Sequence, residues 1–351
     1  MTGQLYFAYP GDLEARTGGY GYDRHVISQL QKLGWTVRLI PLGDGFPFPD
    51  PETLLQAEAA LSALPEASLV LLDGLAYGAL GKIARTLSTR LNLAALVHHP
   101  LALEGGLPEE KRVLLANSEK QALSYANAVL VTSLTTKKQL VEGYNVAAGR
   151  ITVAIPGTEP GVRAKGDPEV PRIVSIGSII PRKGHDVLVS ALAEIADLPW
   201  QCRIIGSRTM DSDYDAKLEQ QIARNELSDR VILAGQVDDT RFELARSDIF
   251  ALASRYEGYG MAFAEALSHG LPIIACRAGA VPEVVPEDAG ILVAPDDQEA
   301  FAKALRRLLE QDDLRHSMAA ASLRHGASLP AWADTAELFS AVLERMAHER
   351  V

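Results

Sequence analysis

The chain has 351 residues, 47% of them apolar and 23% charged, with a formal net charge of -11. That length suits about two domains, and the acidic balance argues against nucleic acid as a partner, because phosphate contact favours a basic surface. It also argues against broad docking on anionic lipid, and the two cysteines, Cys202 and Cys276, lie outside any zinc-type cluster and read as small buried strand residues.

Met1–Pro10 carries neither a basic start nor a long apolar stretch, so no signal peptide is expected. No apolar run approaches the roughly 20 residues of a membrane span, and the expected setting is cytoplasmic, without stable membrane insertion. Leu5–Ala8 reads as a strand, Thr17–Gly21 as a Gly-rich turn and Arg24–Leu33 as a helix closed by Gly34. Thr36–Ile40, Ser68–Leu72, Ala94–His98 and Ala128–Val131 continue as strands with helical stretches between, one of them Thr53–Leu64. A second series has strands at Arg172–Ile176, Gln201–Ile205, Val231–Ala234, Ile249–Ala253, Pro272–Ala275 and Gly290–Val293. Its helices are Gly184–Ile195 and a segment around Tyr214–Asn225, and a last helix covers about Trp332–His348.

This βαβ alternation predicts parallel sheets covered on both faces. Pro156–Pro171, rich in Pro, Gly and charge, reads as an interdomain linker. Two α/β domains flanking a cleft are therefore expected, at 1–160 and 161–330. No fixed-period repeat or low-complexity tract occurs, and nothing in the sequence fixes an oligomeric state.

The most informative stretch runs from Ser254 to Gly270. It sets Glu257 before a loop with Gly258, Tyr259 and Gly260, and Glu265 inside a helix. Were both carboxylates helical, eight residues would separate them by about 12 Å. A carboxylate pair acting on one bond usually stands about 5 to 10 Å apart, so the spacing suits two ends of one elongated ligand. The glycines admit backbone N–H groups, and a helix start offers positive partial charge.

Three further features stand at strand ends, where open α/β sheets bind ligands. Ser178 to His185 places Arg182 and Lys183 together between a strand and a helix, which suits a diphosphate; the alternative is a solvated charged loop. Thr17 to Gly21 permits close approach to the backbone, but Arg24 occupies the third glycine position of a dinucleotide fingerprint, so an ordinary tight turn is the alternative. His98-His99-Pro100 follows a strand, where a histidine can donate hydrogen bonds or handle protons. His98 is preferred for the active-site role; one of the two histidines can equally serve as a cap, and a two-histidine metal site lacks a third ligand.

Together these motifs resemble retaining glycosyltransferase family four, with its GT-B fold of two Rossmann-like domains. The resemblance is strongest from Val174 to Leu308, through Pro-Arg-Lys-Gly, Glu-x7-Glu, Gly-Leu-Pro-Ile-Ile-Ala and Gly-Ile-Leu-Val-Ala-Pro. It implies that Glu265 accepts hydrogen bonds from the ribose hydroxyls and that Glu257 lies near the donor sugar. Arg182 and Lys183 would neutralise the diphosphate, and Gly19 would approach it from the first domain. His98 would stand beside the reacting sugar, Gly235 to Val237 would meet the base, and Gly258 and Gly260 would offer amides. The helix at about 331–351 would cross back onto the first domain.

The reaction so implied is hexosyl transfer with retention, from a UDP-sugar or, second, a GDP-sugar. No Asp-x-Asp metal motif occupies a suitable loop, Asp211-Ser-Asp213 reading as a polar loop, so neither a metal nor another cofactor is expected. The acceptor is expected to be a soluble small molecule, held in the first domain around His98 to Leu107 with His99 and Glu104. Leu101–Leu107 reads as a flexible lid or acceptor wall, or as a plain surface loop. The helix Thr53–Leu64 lacks the basic face of a lipid-acting member. Alternatives are a nucleotide-sugar epimerase or hydrolase on the same scaffold, separable by product analysis without acceptor, and a non-catalytic nucleotide-sugar sensor. A nicotinamide dehydrogenase is disfavoured because neither domain has a full G-x-G-x-x-G.

Overall fold

Runs such as Leu69–Asp73 and Asn92–Val97 are buried at every residue. Only a parallel sheet covered on both faces accommodates such strands. The structure, a computed structural model, describes residues 3–166 and 169–348. Met1 and Thr2, Asp167 and Pro168 of the expected linker, and residues 349–351 of the expected last helix lie outside it. The chain divides into two compact units, residues 1–157 with 330–351, and residues 158–329.

The first unit begins β1 (Gln4–Tyr9), α1 (Gly18–Lys32), β2 (Thr36–Pro41), α2 (Pro51–Ser62), β3 (Leu69–Asp73), α3 (Gly74–Tyr77) and α4 (Gly81–Leu87). It continues β4 (Asn92–Val97), α5 (Glu109–Ser124), β5 (Ala128–Val131), α6 (Leu134–Tyr144) and β6 (Ile151–Val153). The second unit runs β7 (Arg172–Ile176), α7 (His185–Ala193), β8 (Gln201–Ile205), α8 (Ser212–Arg224), β9 (Val231–Gly235), α9 (Thr240–Ala245) and β10 (Ile249–Leu252). There follow α10 (Met261–Ser268), β11 (Ile273–Cys276), α11 (Val281–Val284), β12 (Gly290–Val293), α12 (Gln298–Glu310) and α13 (Asp312–Gly326). α14 (Trp332–His348) belongs to the first unit, where Trp332 stacks on His25 at 4.2 Å and meets the edge of Tyr22 at 5.5 Å.

Both sheets are parallel, in orders β2-β1-β3-β4-β5-β6 and β12-β11-β10-β7-β8-β9. Strand order reverses between β1 and β3 in the first and between β7 and β10 in the second. Adjacent connections there leave to opposite faces, which opens a crevice at the carboxyl ends of the strands. Each sheet has its own core: Leu72, Tyr77, Leu93 and Leu123 in the first, Leu188, Trp200, Ile274 and Phe301 in the second. Each such large side chain contributes about 1.5 to 3 kcal/mol by leaving water.

Two sequence expectations require correction, and one strand had no expectation. The Gly-rich stretch is the first turn of α1 rather than a free turn: Thr17 caps it by accepting from Tyr20 N–H at 3.3 Å. A favourable cap overrides the poor helix propensity of Gly18, Gly19 and Gly21. The short β6 was not expected; it pairs with β5 at the sheet edge. Leu101–Leu103 forms a short 3-10 turn in which Leu101 and Ala102 are buried, so this part is packed and not a plain surface loop. Cys202 and Cys276 are buried in β8 and β11, as expected.

Candidate functional site

In the second unit, β7 and β10 deliver two loops to the crevice of their sheet. After β7 the chain enters a 3-10 turn at Pro181–Lys183, and Gly184 then starts α7 with φ of 65°. A Cβ on Gly184 would lie 2.0 Å from the Ala253 carbonyl oxygen, so only glycine fits between these loops. The loops are joined along their backbones: Arg255 N–H donates to the Arg182 carbonyl at 2.8 Å, and the Arg182 guanidinium donates to the Tyr256 carbonyl at 3.1 Å.

Glu257 lies at the centre, 5% exposed. It accepts from Lys183 Nζ at 2.7 Å and from Ser254 Oγ at 2.6 Å, and Arg182 stands 3.6 Å away. Burial would raise this carboxyl, but the charges of Lys183 and Arg182 and the two hydrogen bonds outweigh it and hold Glu257 below its ordinary range. Gly279 presses on the same backbone, since its Cβ would lie 2.1 Å from the Glu257 carbonyl oxygen, which accepts from Ala280 N–H at 2.9 Å. Arg255 braces the turn through both oxygens of Asp186, at 3.0 and 2.8 Å, and through Asp296 at 2.7 Å. His185 is not a third cation. It is buried, donates from Nε2 to the Gly177 carbonyl at 3.1 Å, and burial lowers it to about 4.

Glu257 and Tyr259 are buried in the loop preceding α10, so the helical spacing of Glu257 and Glu265 does not apply. Gly258 is buried in that loop as well, and Gly260 takes φ of 101° at the start of α10. Glu265 is half-buried in α10, and its carboxylate forms no hydrogen bond among the described residues. Burial raises it to about 7, opposed by the Arg241 charge from α9. At the end of β9, Gly235 has φ of 68° and open space beside its Cα, and half-buried Val237 follows. Asp211 caps α8 by accepting from Tyr214 N–H at 2.9 Å, and Asp213 lies in the first turn of that helix.

In the first unit, β1, β3 and β4 bring Gly19, Asp23, Asp73 and His98 together. His98 follows β4, just outside the strand expected to contain it. Its Nε2 lies 3.1 Å from Asp23 Oδ1 and 3.8 Å from Asp73 Oδ2. A Cβ on Gly19 would lie 3.5 Å from the His98 ring, and Tyr22 meets that ring edge-on at 5.3 Å. His99 Nε2 lies 3.0 Å from Glu104 Oε2, so the expected acceptor residues contact each other. Glu119, buried on α5, accepts from Leu101 N–H at 2.9 Å, and burial raises it to about 8.

Asp23 and Asp73 were missed in the sequence; their signal is an acid closing an otherwise apolar strand and another inside the helix that opens at the glycines. They also revise the metal reading. Partners for His98 come from carboxylates rather than a second histidine, and candidate ligand atoms of Asp23, Asp73 and His98 all lie within 4.8 Å of one another. Ser254, Arg255, Asp186 and Gly279 were missed as well. Of these, only a glycine soon after a strand end stood out as a sequence signal.

The family described as glycosyl transferases group 1 matches residues 163–325. A D-inositol 3-phosphate glycosyltransferase of Nocardia farcinica is 31% identical over 271 residues, 71% of this chain and 58% of that protein. The chain thus spans under two thirds of that relative. Sucrose-phosphate synthase from Thermosynechococcus elongatus superposes with a TM-score of 0.83 at 21% identity, over 98% of this chain and 99% of that one. Anabaena HepE, solved with UDP-glucose, gives a TM-score of 0.76 at 17% identity over 97% of this chain and 99% of its own. At these identities the likeness is one of fold, and that fold is GT-B. No helix among the described residues is long and apolar enough to cross a membrane.

Proposed function

We propose, from the match of residues 163–325 to the family described as glycosyl transferases group 1, that the chain moves a hexosyl unit from a nucleoside-diphosphate sugar to a small-molecule acceptor with retention. The observation that carries this reading is the Lys183–Glu257–Arg182 cluster at the carboxyl ends of β7 and β10. Two fixed cations in a largely buried turn complement the charge that develops on a departing diphosphate. Glu257 holds them in place before any ligand arrives, so little reorganisation is needed during reaction. Glu265, desolvated yet without a hydrogen-bonded partner of its own, suits a vicinal diol such as a ribose, whose two hydroxyls would donate to the carboxylate.

In the proposed reaction, the bond from C1 of the sugar to the diphosphate oxygen breaks, and its electron pair leaves with the diphosphate. The acceptor oxygen bonds to C1 on the same face, and its proton passes to the departing diphosphate. His98, in the first unit, is the residue assigned to the reacting sugar, and His99 with Glu104 to the acceptor. Gly235 and Val237 are assigned to the base, and Gly19, Gly258, Tyr259 and Gly260 to the donor. Metal is not part of this reading, because Arg182 and Lys183 supply the positive charge and Asp211 is engaged as a helix cap. The donor base is proposed to be uridine first and guanosine second. The relative named above suggests a soluble phosphorylated polyol as an acceptor class.

The test is a thermal-shift comparison of UDP, GDP and ADP, followed by product analysis with UDP-glucose. A ligand at about 100 times its Kd adds roughly 2.7 kcal/mol of apparent stability. We expect UDP to raise the midpoint most. In the absence of acceptor, the sugar should stay intact or be released slowly; an altered sugar would indicate an epimerase, and no shift with any nucleotide would overturn the donor assignment.

A further inference from the structure

We propose that Arg255 is the positioning residue of the Arg182–Lys183 turn: it sets both cations for a diphosphate without itself touching the ligand. The functional half of this inference rests on the donor reading above. The bracing is read from geometry alone.

Arg255 directs its donors at the protein. Its Nη1 and Nη2 meet Oδ1 and Oδ2 of Asp186 at 3.0 and 2.8 Å, and Nε meets Asp296 Oδ1 at 2.7 Å. Nη1 also donates to the Pro181 carbonyl, and the backbone N–H of Arg255 donates to the Arg182 carbonyl at 2.8 Å. One residue thus holds two consecutive carbonyls of the 3-10 turn. The Arg182 guanidinium returns the contact at the Tyr256 carbonyl, 3.1 Å away. Every guanidinium nitrogen of Arg255 has a protein acceptor, and Asp186 and Asp296 together outweigh its charge. Arg255 is therefore not a third cation for the ligand; its action passes through the turn.

The partners of Arg255 are themselves fixed. Asp186 lies in the first turn of α7, where its Oδ1 also accepts from the Tyr214 hydroxyl at 2.6 Å and its N–H donates to that hydroxyl oxygen at 3.2 Å. Burial opposes charge on Asp186, but the bonds from Arg255 and Tyr214 hold its carboxyl below the ordinary range. Asp296 follows β12 with φ of 61°, a left-handed conformation that few L-residues adopt, and from there its carboxylate reaches Nε. The brace ties the turn to α7, to α8 and to the segment after β12. On the other side, the Lys183 stem packs against Gly177, whose Cβ would lie 3.1 Å from Lys183 Cδ. A shift of the turn would carry Lys183 Nζ off Glu257, which it meets at 2.7 Å. The task needs the planar fork of arginine, which meets both oxygens of one carboxylate while Nε serves another; the point charge of lysine cannot do both.

Calorimetric titration of UDP and UMP into the native protein, Arg255→Gln and Arg255→Lys separates positioning from charge. We expect UDP affinity to fall about tenfold in both variants, because a displaced cation pair no longer matches the diphosphate. UMP lacks the second phosphate, and its affinity should change by less than about twofold. Equal losses with UDP and UMP would overturn the proposal in favour of a general loosening of the second unit. Native-like UDP affinity in Arg255→Lys would overturn it in favour of charge alone, and native-like affinity in Arg255→Gln would overturn it outright. Should the Arg255 variants fail to fold, Asp186→Asn decides: it offers the fork one acceptor oxygen in place of two and should weaken UDP selectively, and unchanged UDP affinity there would overturn the proposal. Pyrophosphate, titrated in parallel, separates this inference from the donor reading. A native protein that binds pyrophosphate but not UDP, with the loss kept in Arg255→Gln, would sink the nucleotide reading and keep the brace; binding of neither would sink both.

Discussion

The crevices of the two sheets solve opposite electrostatic problems with the same topology. In the second unit a buried carboxylate, Glu257, meets two cations and its carboxyl is held low. In the first unit two buried carboxyls, Asp23 and Asp73, lie within 4.8 Å of each other and of His98, and burial holds both high. Burial depth is similar, so the sign of the neighbour decides the outcome. The difference suits two tasks: a fixed cationic turn can receive an anion, whereas a buried carboxyl 3.1 Å from His98 Nε2 can orient an imidazole.

Removing Glu257 should break this contrast most severely. Glu257→Ala leaves Lys183 and Arg182 largely buried without their carboxylate, and losing one partner of a buried pair costs about 3 to 5 kcal/mol. Urea unfolding should show that loss, and donor turnover should fall at least 100-fold, about what one removed electrostatic donor costs. Gly184→Ala comes next, because its Cβ would press on the Ala253 carbonyl at 2.0 Å and its φ is 65°. Strain of roughly 1 to 3 kcal/mol is expected, read as a lower unfolding midpoint.

A smaller effect appears in the pH dependence of stability. Asp23, Asp73 and Glu119 have raised folded pKa values, so their contribution is complete in acid and is lost as pH rises, up to about 8 for Glu119. Glu257 runs the other way, losing its contribution as pH falls below the ordinary carboxylate range. His98 and His185, held neutral by burial, also lose stability as pH falls below about 6.5. Thermal midpoints should therefore decline between pH 6.5 and 8.5. Glu119→Gln should flatten part of that decline, and an unchanged slope would contradict the assignment.

The fold was legible because its strands are local signals. Ala128–Val131, Arg172–Ile176, Gln201–Ile205 and Gly290–Val293 are apolar runs bounded by turn residues, and the structure has strands at those bounds. β6 escaped because three edge residues make no periodic signal. The first turn of α1 escaped because composition pointed to a loop while one cap, Thr17, decided otherwise. At the candidate site, Arg182, Lys183 and Glu257 stood out as charges beside glycines at strand ends. Their pairing did not, since 74 residues of sequence separate Lys183 from Glu257. Asp23 and Asp73 were hidden for the same reason: each looks ordinary alone, and only the sheet order brings them to His98.

The most direct measurement is calorimetric titration of UDP into the native protein, Lys183→Ala and Glu265→Ala. The proposed donor site predicts saturable binding to the native protein and a loss of about tenfold or more in each variant, since each removes a charge-assisted contact worth roughly 1.5 to 3 kcal/mol. Absence of UDP binding to the native protein, or equal affinity in all three, would contradict it.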